Sequence, residues 1–359
     1  MKNLLVTGGA GFIGSNFIHY LLKAEQDVRI YTLDALTYAG HRENLDHLPD
    51  DSRHTFIHGS INDRARVDDL LRKYRIDTIV HFAAETHVDR SITGPASFIE
   101  TNVIGTFTLL EAARQAWLDE KTVSNPRFHH VSTDEVFGTL GPDDPPFCET
   151  TAYDPNSPYA ASKASSDHLV RAYHRTYGLP VTITNCSNNY GPRQYPEKLI
   201  PLMIFNALQG KRLPIYGDGQ QIRDWLYVED HCTAIHAVLT AGRLGETYLV
   251  GGRNQPPNIE LVRRICAILD ERFPNSPHAP HAKLMQHVSD RPGHDRRYDV
   301  TTGKIEAQLG WQPQHDLDQG LRDTVNWYLQ NGGWITAVTG GEGFANWMNE
   351  NYTQRGAGK

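Results

Sequence analysis

Leu4-Leu5-Val6-Thr7-Gly8-Gly9-Ala10-Gly11-Phe12-Ile13-Gly14 is the stretch that decides the fold. Leu4 to Val6 reads as a short buried strand. Ile13, Phe17, Ile18, Leu21 and Leu22 then recur at helical spacing. The glycines between them have separate tasks. Gly8 makes the tight turn, Gly11 lets the backbone approach a pyrophosphate, and Gly14 lets helix and strand pack closely. The helix start offers free N–H groups and partial positive charge to phosphate.

Working outward, Val28 to Leu33 reads as a second strand ending at Asp34. That acid stands where a dinucleotide-binding unit bonds the ribose 2′-hydroxyl. It repels a 2′-phosphate, so NAD is expected over NADP. The alternation continues with strands at Thr55–His58 and Thr78–Phe82 and a helix at Val67–Tyr74. Ala83 and Ala84 follow the fourth strand and leave room for a flat cofactor. His87 is either a substrate-facing group or a plain loop histidine. Ser97 to Trp117 reads as one long helix with apolar residues around more than one face, which suggests burial against a partner subunit.

Phe128 to Val131 reads as a fifth strand, delivering Ser132-Thr133-Asp134-Glu135. Two adjacent carboxylates repel, and a solvated turn capped by Ser132 or Thr133 would explain them. After a loop at Gly141–Asn156, Pro158 opens a helix holding Tyr159 and Lys163 on one face. Val181 to Thr184 reads as a sixth strand. Beyond it the rhythm weakens. A helix is expected at Lys198–Leu208, a turn at Leu213–Gly219, a strand at Arg223–Val228, and irregular loops and helices to Tyr328. Trp334, Phe344 and Trp347 suggest that part of the tail docks, with Gln354–Lys359 fraying. The expected fold is α/β: a Rossmann-type doubly wound parallel sheet with a smaller C-terminal substrate-binding lobe. Residues 1–186 form the cofactor unit, with later segments returning to it. Residues 187–330 are mainly the second lobe, and 331–359 are an extension.

Composition narrows the function. Of 359 residues, 39% are apolar and 21% charged, which permits a packed core. A net charge of −7 argues against nucleic acid as a partner. Four scattered cysteines and no Cys/His cluster argue for reduced thiols and no metal site. No apolar run is long enough for a membrane span, and the apolar start is too short for a signal peptide, so a cytoplasmic protein is expected.

Together Thr7-Gly8-x-x-Gly11-x-x-Gly14, Asp34 and Tyr159-x-x-x-Lys163 resemble the extended short-chain dehydrogenase/reductase superfamily. Within it the chain resembles the dTDP-glucose 4,6-dehydratases. The carriers are His81 to Ser91, Ser132 to Val136, Ser187 to Pro192, Pro196 to Pro201 and Asp290 to Asp295. The cofactor motifs mark only the superfamily; Thr133-Asp134-Glu135 marks the dehydratases. Phe137, Thr86, Ser60 and Asn185 depart from the usual Tyr, Ser, Asp and Arg.

The resemblance implies oxidation at C4 of a nucleotide-glucose, loss of water across C5–C6 and hydride return to C6, for deoxysugar biosynthesis. It implies Tyr159 as base at the C4 hydroxyl, with Lys163 favouring its phenolate and Thr133 steadying the oxygen. It implies Glu135 as base at C5 and Asp134, with a raised pKa, as acid at C6. Tightly held NAD is expected on Gly8, Gly11, Phe12, Ile13, Gly14, Asp34, Thr37, Ser60, Ile61, Ala83, Ala84, Thr101, Tyr159, Lys163 and Asn188. The nucleotide sugar is expected on Glu85, Thr86, His87, Thr133, Asn188, Lys198, Leu199, Pro214, Tyr216, Arg223, Asn258 and Arg291. A homodimer through a helix bundle is implied. Rivals are an epimerase or decarboxylase on the same scaffold, a UDP-glucose or GDP-mannose 4,6-dehydratase, and an NAD-binding sensor without activity. The adjacent acids argue against an epimerase. The complete set of five catalytic candidates argues against a sensor.

Overall fold

A computed structural model describes residues 1–290 and 293–340. Strand β1 (Asn3–Thr7) is a continuous buried run, as a parallel strand covered on both faces must be. Full burial of Leu4, Leu5 and Val6 stabilises it by about 2 kcal/mol each. It feeds α1 (Phe12–Ala24), β2 (Arg29–Asp34), β3 (His54–His58), α2 (Arg64–Lys73) and β4 (Thr78–His81). Then come α3 (Val88–Thr93), α4 (Ala96–Phe98), α5 (Thr106–Arg114), β5 (Arg127–Thr133), α6 (Pro158–Tyr177) and β6 (Val181–Cys186). β7 (Asn188–Tyr190), α7 (Leu199–Leu208), β8 (Leu213–Tyr216), β9 (Trp225–Tyr227) and α8 (Val228–Ala241) follow. The rest are β10 (Thr247–Val250), α9 (Asn258–Arg272), β11 (Met285–Val288), α10 (Gly303–Leu309), α11 (Leu317–Gln330) and α12 (Gly332–Thr339).

The central sheet is parallel throughout, in the order β10-β6-β5-β4-β1-β2-β3. The order reverses between β1 and β4, and Thr7 pairs with His81 there. Ligands of such sheets bind outside the strand ends at that crevice. β5 pairs with β6 up to Thr133↔Cys186, so the acids after Thr133 emerge at the same edge.

Several expectations need correction. The run from Ala96 to Asp119 is helical but not one α-helix; wider π turns occupy Ile99–Gly105 and Gln115–Asp119. Within the first of these Asn102 turns inward, donating to Glu85 O (3.0 Å) and Ser162 Oγ (2.8 Å). Leu213–Tyr216 is a strand, not part of a turn, because β11 pairs with it from 70 residues away; only Gly217–Gly219 turns. Such pairing leaves no local signal. Val228 starts α8 and does not end a strand. The segment read as irregular contains β10, which completes the central sheet, and α8, whose Cys232, Ile235 and Leu239 pack with Phe17, Ile18 and Leu21 of α1. Residues of α7, α9 and α11 form a separate apolar core with Tyr190, Trp225 and Tyr227. Trp334 docks, with its Nε1 donating to Asn44 Oδ1 at 2.7 Å. Phe344, Trp347, Gln354–Lys359 and Arg291 lie outside the described residues. No helix among those described is long and apolar enough to cross a membrane.

Candidate active site

The glycine loop lies against the switch point. Gly8 has φ +70°, and a Cβ there would stand 2.6 Å from Ala83 N. A Cβ on Gly14 would stand 2.4 Å from Gly8 O, so the loop and helix close on each other only without side chains. No side chain caps α1, and its first turn has no acid. The opening N–H groups of that helix are therefore left for a ligand. Asp34, 8% exposed, accepts from Ala10 N (2.9 Å) and Leu36 N (2.8 Å). It braces the glycine loop at the same edge where a ribose hydroxyl would meet it. Burial pushes its carboxyl up, and the two amides counter that.

One open cavity of about 1700 Å³, mouth included, runs from this loop to the acids after β5. It joins the glycine loop and the acids in one continuous space, as a site for a dinucleotide beside a second ligand would. Gly8, Gly11, Phe12, Ile13, Gly14, Asp34, Thr37, Ser60, Ile61, Ala83, Ala84 and Thr101 line it. So do Glu85, Thr86, Thr133, Asp134, Glu135, Tyr159, Lys163, Asn188 and Lys198. His87 is not on the lining; it is buried at the start of α3. Leu199, Pro214, Tyr216, Arg223 and Asn258 are not on it either. Tyr216 reaches across to the first lobe, donating to Asp89 Oδ2 at 3.3 Å. Arg223 donates to the Ile222 and Asp295 carbonyls (2.7 and 2.8 Å) and lies over the Tyr298 ring.

Thr133 ends β5 and caps the short turn that follows. Its Oγ1 accepts from Glu135 N (3.2 Å) and donates to Asp134 Oδ1 (3.3 Å). The capping reading of this stretch and the chemical one are thus both present in one residue. Asp134 is 1% exposed and its Oδ2 has no partner. Burial, then the neighbouring Glu135 and Asp224 charges, push its carboxyl well above the usual range; Arg223 opposes them. Burial likewise pushes the Tyr159 phenol well up, with Glu135 next. Lys163 Nζ donates to Val131 O at 2.9 Å, and burial brings its ammonium down to about 8. A hydrogen bond with Thr133 opposes the rise of the tyrosine without reversing it. Ser132 Oγ and Asn188 Oδ1, from two residues of the cavity lining, are buried without hydrogen-bond partners among the described residues, as polar atoms that face a ligand are. The uncapped helix, the Cβ-free cradle and these atoms fit a dinucleotide beside a polar second ligand.

Sequence reading missed Tyr38, Tyr195, Glu197 and Cys186, which also line the cavity. It also missed Asp167 behind Lys163. Only Asp167 carried a signal, its spacing of eight residues from Tyr159 along α6.

The parallel sheet, the glycine cradle and a tyrosine–lysine pair beside the fifth strand define the extended short-chain dehydrogenase/reductase class. The family model described as GDP-mannose 4,6 dehydratase matches residues 5–324. The dTDP-glucose 4,6-dehydratase of Salmonella typhimurium is 53% identical over 98% of this chain and 99% of its own length. The crystal structure of DesIV, the dTDP-glucose 4,6-dehydratase of Streptomyces venezuelae, solved with NAD bound, superposes with a TM-score of 0.85. It is 49% identical and covers 94% of this chain and 100% of its own. The Bacillus anthracis dTDP-glucose 4,6-dehydratase in complex with NAD gives 0.83 at 45% identity, with the same coverage. The chain belongs to the dTDP-glucose 4,6-dehydratase family.

Proposed function

We propose that this chain converts dTDP-glucose to dTDP-4-keto-6-deoxyglucose and water, as an NAD-dependent hydro-lyase. The C5 proton of a plain sugar is too weakly acidic to remove, whereas a C4 ketone acidifies it. NAD, held on the glycine loop and Asp34, would supply hydride acceptance from C4 and hydride return to C6, and its positive nicotinamide would favour the Tyr159 phenolate. Tyr159 accepts the C4 hydroxyl proton, and Thr133 holds that oxygen. Glu135 takes the C5 proton while Asp134 gives a proton to the departing C6 hydroxyl, so water leaves and a C5–C6 double bond forms. After hydride addition at C6, Glu135 returns the proton to C5. Before the next turnover Tyr159 gives up the proton it took and Asp134 regains one, so the enzyme returns to its starting state and the net change is loss of one water.

The single observation that carries this reading is the Asp134–Glu135 pair facing the cofactor cavity, with Asp134 buried and its carboxyl pushed well above the usual range by burial and by Glu135. Elimination needs an acid and a base at once, and unequal environments supply them. Lys198, Asn188, Arg223, Asn258, Tyr216 and Arg291 are proposed to hold the nucleotide end. The two guanidiniums suit diphosphate oxygens. The same chemistry serves a UDP-glucose or GDP-mannose substrate. The test offers equal concentrations of the three nucleotide sugars. The expected result is keto-deoxy product from dTDP-glucose at least about tenfold faster, the discrimination that about 1.4 kcal/mol of base recognition gives. A faster GDP- or UDP-sugar overturns the assignment of the base.

A homodimer and a cytoplasmic location belong to the same proposal. Ile99, Ile104 and Phe107 are 47, 49 and 43% exposed on the helical run before β5, an apolar face suited to a second copy. Ile104→Glu with Phe107→Glu is expected to convert a species of twice the chain mass to one of single mass in sedimentation. The four cysteines are free thiols, in keeping with a reducing compartment.

A further inference from the structure

One buried cluster has no part in the chemistry above. Asp167 lies four residues beyond Lys163 in α6, as Lys163 lies four beyond Tyr159, so the three follow one face at single-turn spacing. Asp167 is fully buried, and so is His130 of β5, whose Nε2 is 3.2 Å from Asp167 Oδ1. Asp167 Oδ2 accepts from Tyr153 Oη (2.7 Å) and Asn185 Nδ2 (3.0 Å). The residue after His130 is Val131, whose carbonyl receives the Lys163 ammonium. Lys163 and Asp167 are thus both buried, one turn apart on the same face of α6.

We propose that Asp167 is a positioning residue whose buried carboxylate keeps the Lys163 ammonium charged and so sets the alkaline limit of the Tyr159 step. The inference rests on the roles given to Tyr159 and Lys163 above. A buried ammonium without an opposing charge loses its proton, and a buried carboxylate without donors gains one. Here each opposes the other's neutralisation, and Tyr153 and Asn185 donate to Asp167 Oδ2.

The titratable groups coupled to Lys163 are Asp167 from α6, His130 from β5, His81 from β4 and Cys186 from β6, and Arg171 of α6 acts on Asp167 and His130. Burial keeps both histidines neutral, His130 down to about 4, and pushes the Cys186 thiol up. Asp167 is pulled down to about 2 against burial, by the His130 imidazole beside it and by the charges of Lys163 and Arg171. It is therefore the anion that favours the lysine's charge, while Arg171 competes for it. Arg171 sits at the cluster's rim, donating to Tyr153 Oη at 2.6 Å.

The sign follows. Lys163 titrates near 8, so its charge is present below that pH and lost above it. Removing the Asp167 charge moves that loss to lower pH; removing Arg171 moves it to higher pH. The experiment is the pH profile of kcat for dTDP-glucose, from pH 6 to 10, with far-UV circular dichroism and NAD content checked for each variant. Asp167→Asn is expected to shift the alkaline limb downward by about one unit or more, so that activity at pH 8.5 falls about tenfold further than activity at pH 6.5. Asp167→Glu is expected to keep the wild-type limb, and Arg171→Gln to shift it upward. A limb that stays in place in Asp167→Asn, with loss equal at every pH, makes Asp167 a structural brace and overturns the proposal. Should Asp167→Asn not fold, Arg171→Gln carries the test, and an unmoved or lowered limb overturns it. A wild-type protein that makes no keto-deoxy sugar contradicts the functional reading itself, whereas an active one with an unmoved limb contradicts only this inference.

Discussion

Glu135→Gln stops turnover after the first half of the reaction. Hydride transfer from C4 proceeds, reduced nicotinamide builds up on the enzyme, and the C5 proton stays on the sugar. Glutamine has the shape of glutamate but cannot accept a proton, so the loss falls on one step. A positioned base contributes about 10²–10⁴-fold, and overall turnover is expected to drop by that factor. The substitution removes one of the charges that raise Asp134, but burial is the larger cause and remains, so the C6 acid survives. Absorbance of the reduced cofactor and exchange of the C5 proton with solvent read the two halves separately. C5 exchange that persists in this variant sinks the assignment of the base.

Tyr159→Phe acts earlier. The ring is buried and meets Phe98 edge-on at 6.3 Å, and phenylalanine keeps that contact. What disappears is the group that accepts the C4 hydroxyl proton. Oxidation at C4 is expected to slow by about 10²–10⁴-fold, with no reduced cofactor accumulating and no C5 exchange. NAD retention is expected to hold, because the glycine cradle and Asp34 are untouched. Reduced cofactor forming at the wild-type rate in this variant removes Tyr159 from the mechanism. The two variants therefore leave opposite spectroscopic signatures, which a general loss of folding cannot imitate.

The first 186 residues were readable in sequence because each βα unit announces itself locally. Apolar runs, glycines at fixed offsets and Asp34 are all neighbours in the chain. Asp134 and Glu135 were readable only in company, since an acid pair after a strand is ordinarily a solvated turn. The helix spacing of Tyr159 and Lys163 and the glycine loop supplied that company. The second lobe was less legible. β8 is a strand only because β11 lies beside it, and β10 joins a sheet whose other strands precede it by at least 60 residues. Long-range pairing of this kind has no local period. The state of Lys163 was also out of reach. Spacing puts it on the face of Tyr159, but its bond to the Val131 carbonyl and its counter-charge at Asp167 depend on how α6 crosses β5. Of the expected nucleotide contacts, Tyr216 illustrates the same limit. Its residue type suits a base, yet its bond to Asp89 across the lobes emerges only in the folded chain.

The central claim is that one hydride leaves C4 and comes back to C6 of the same sugar. dTDP-glucose deuterated at C4, incubated with the enzyme and analysed by mass spectrometry and NMR, tests it directly. The account predicts a 4-keto-6-deoxy product carrying deuterium in its C6 methyl group, with no NADH released to solution. Deuterium still at C4, or found in free NADH, contradicts it.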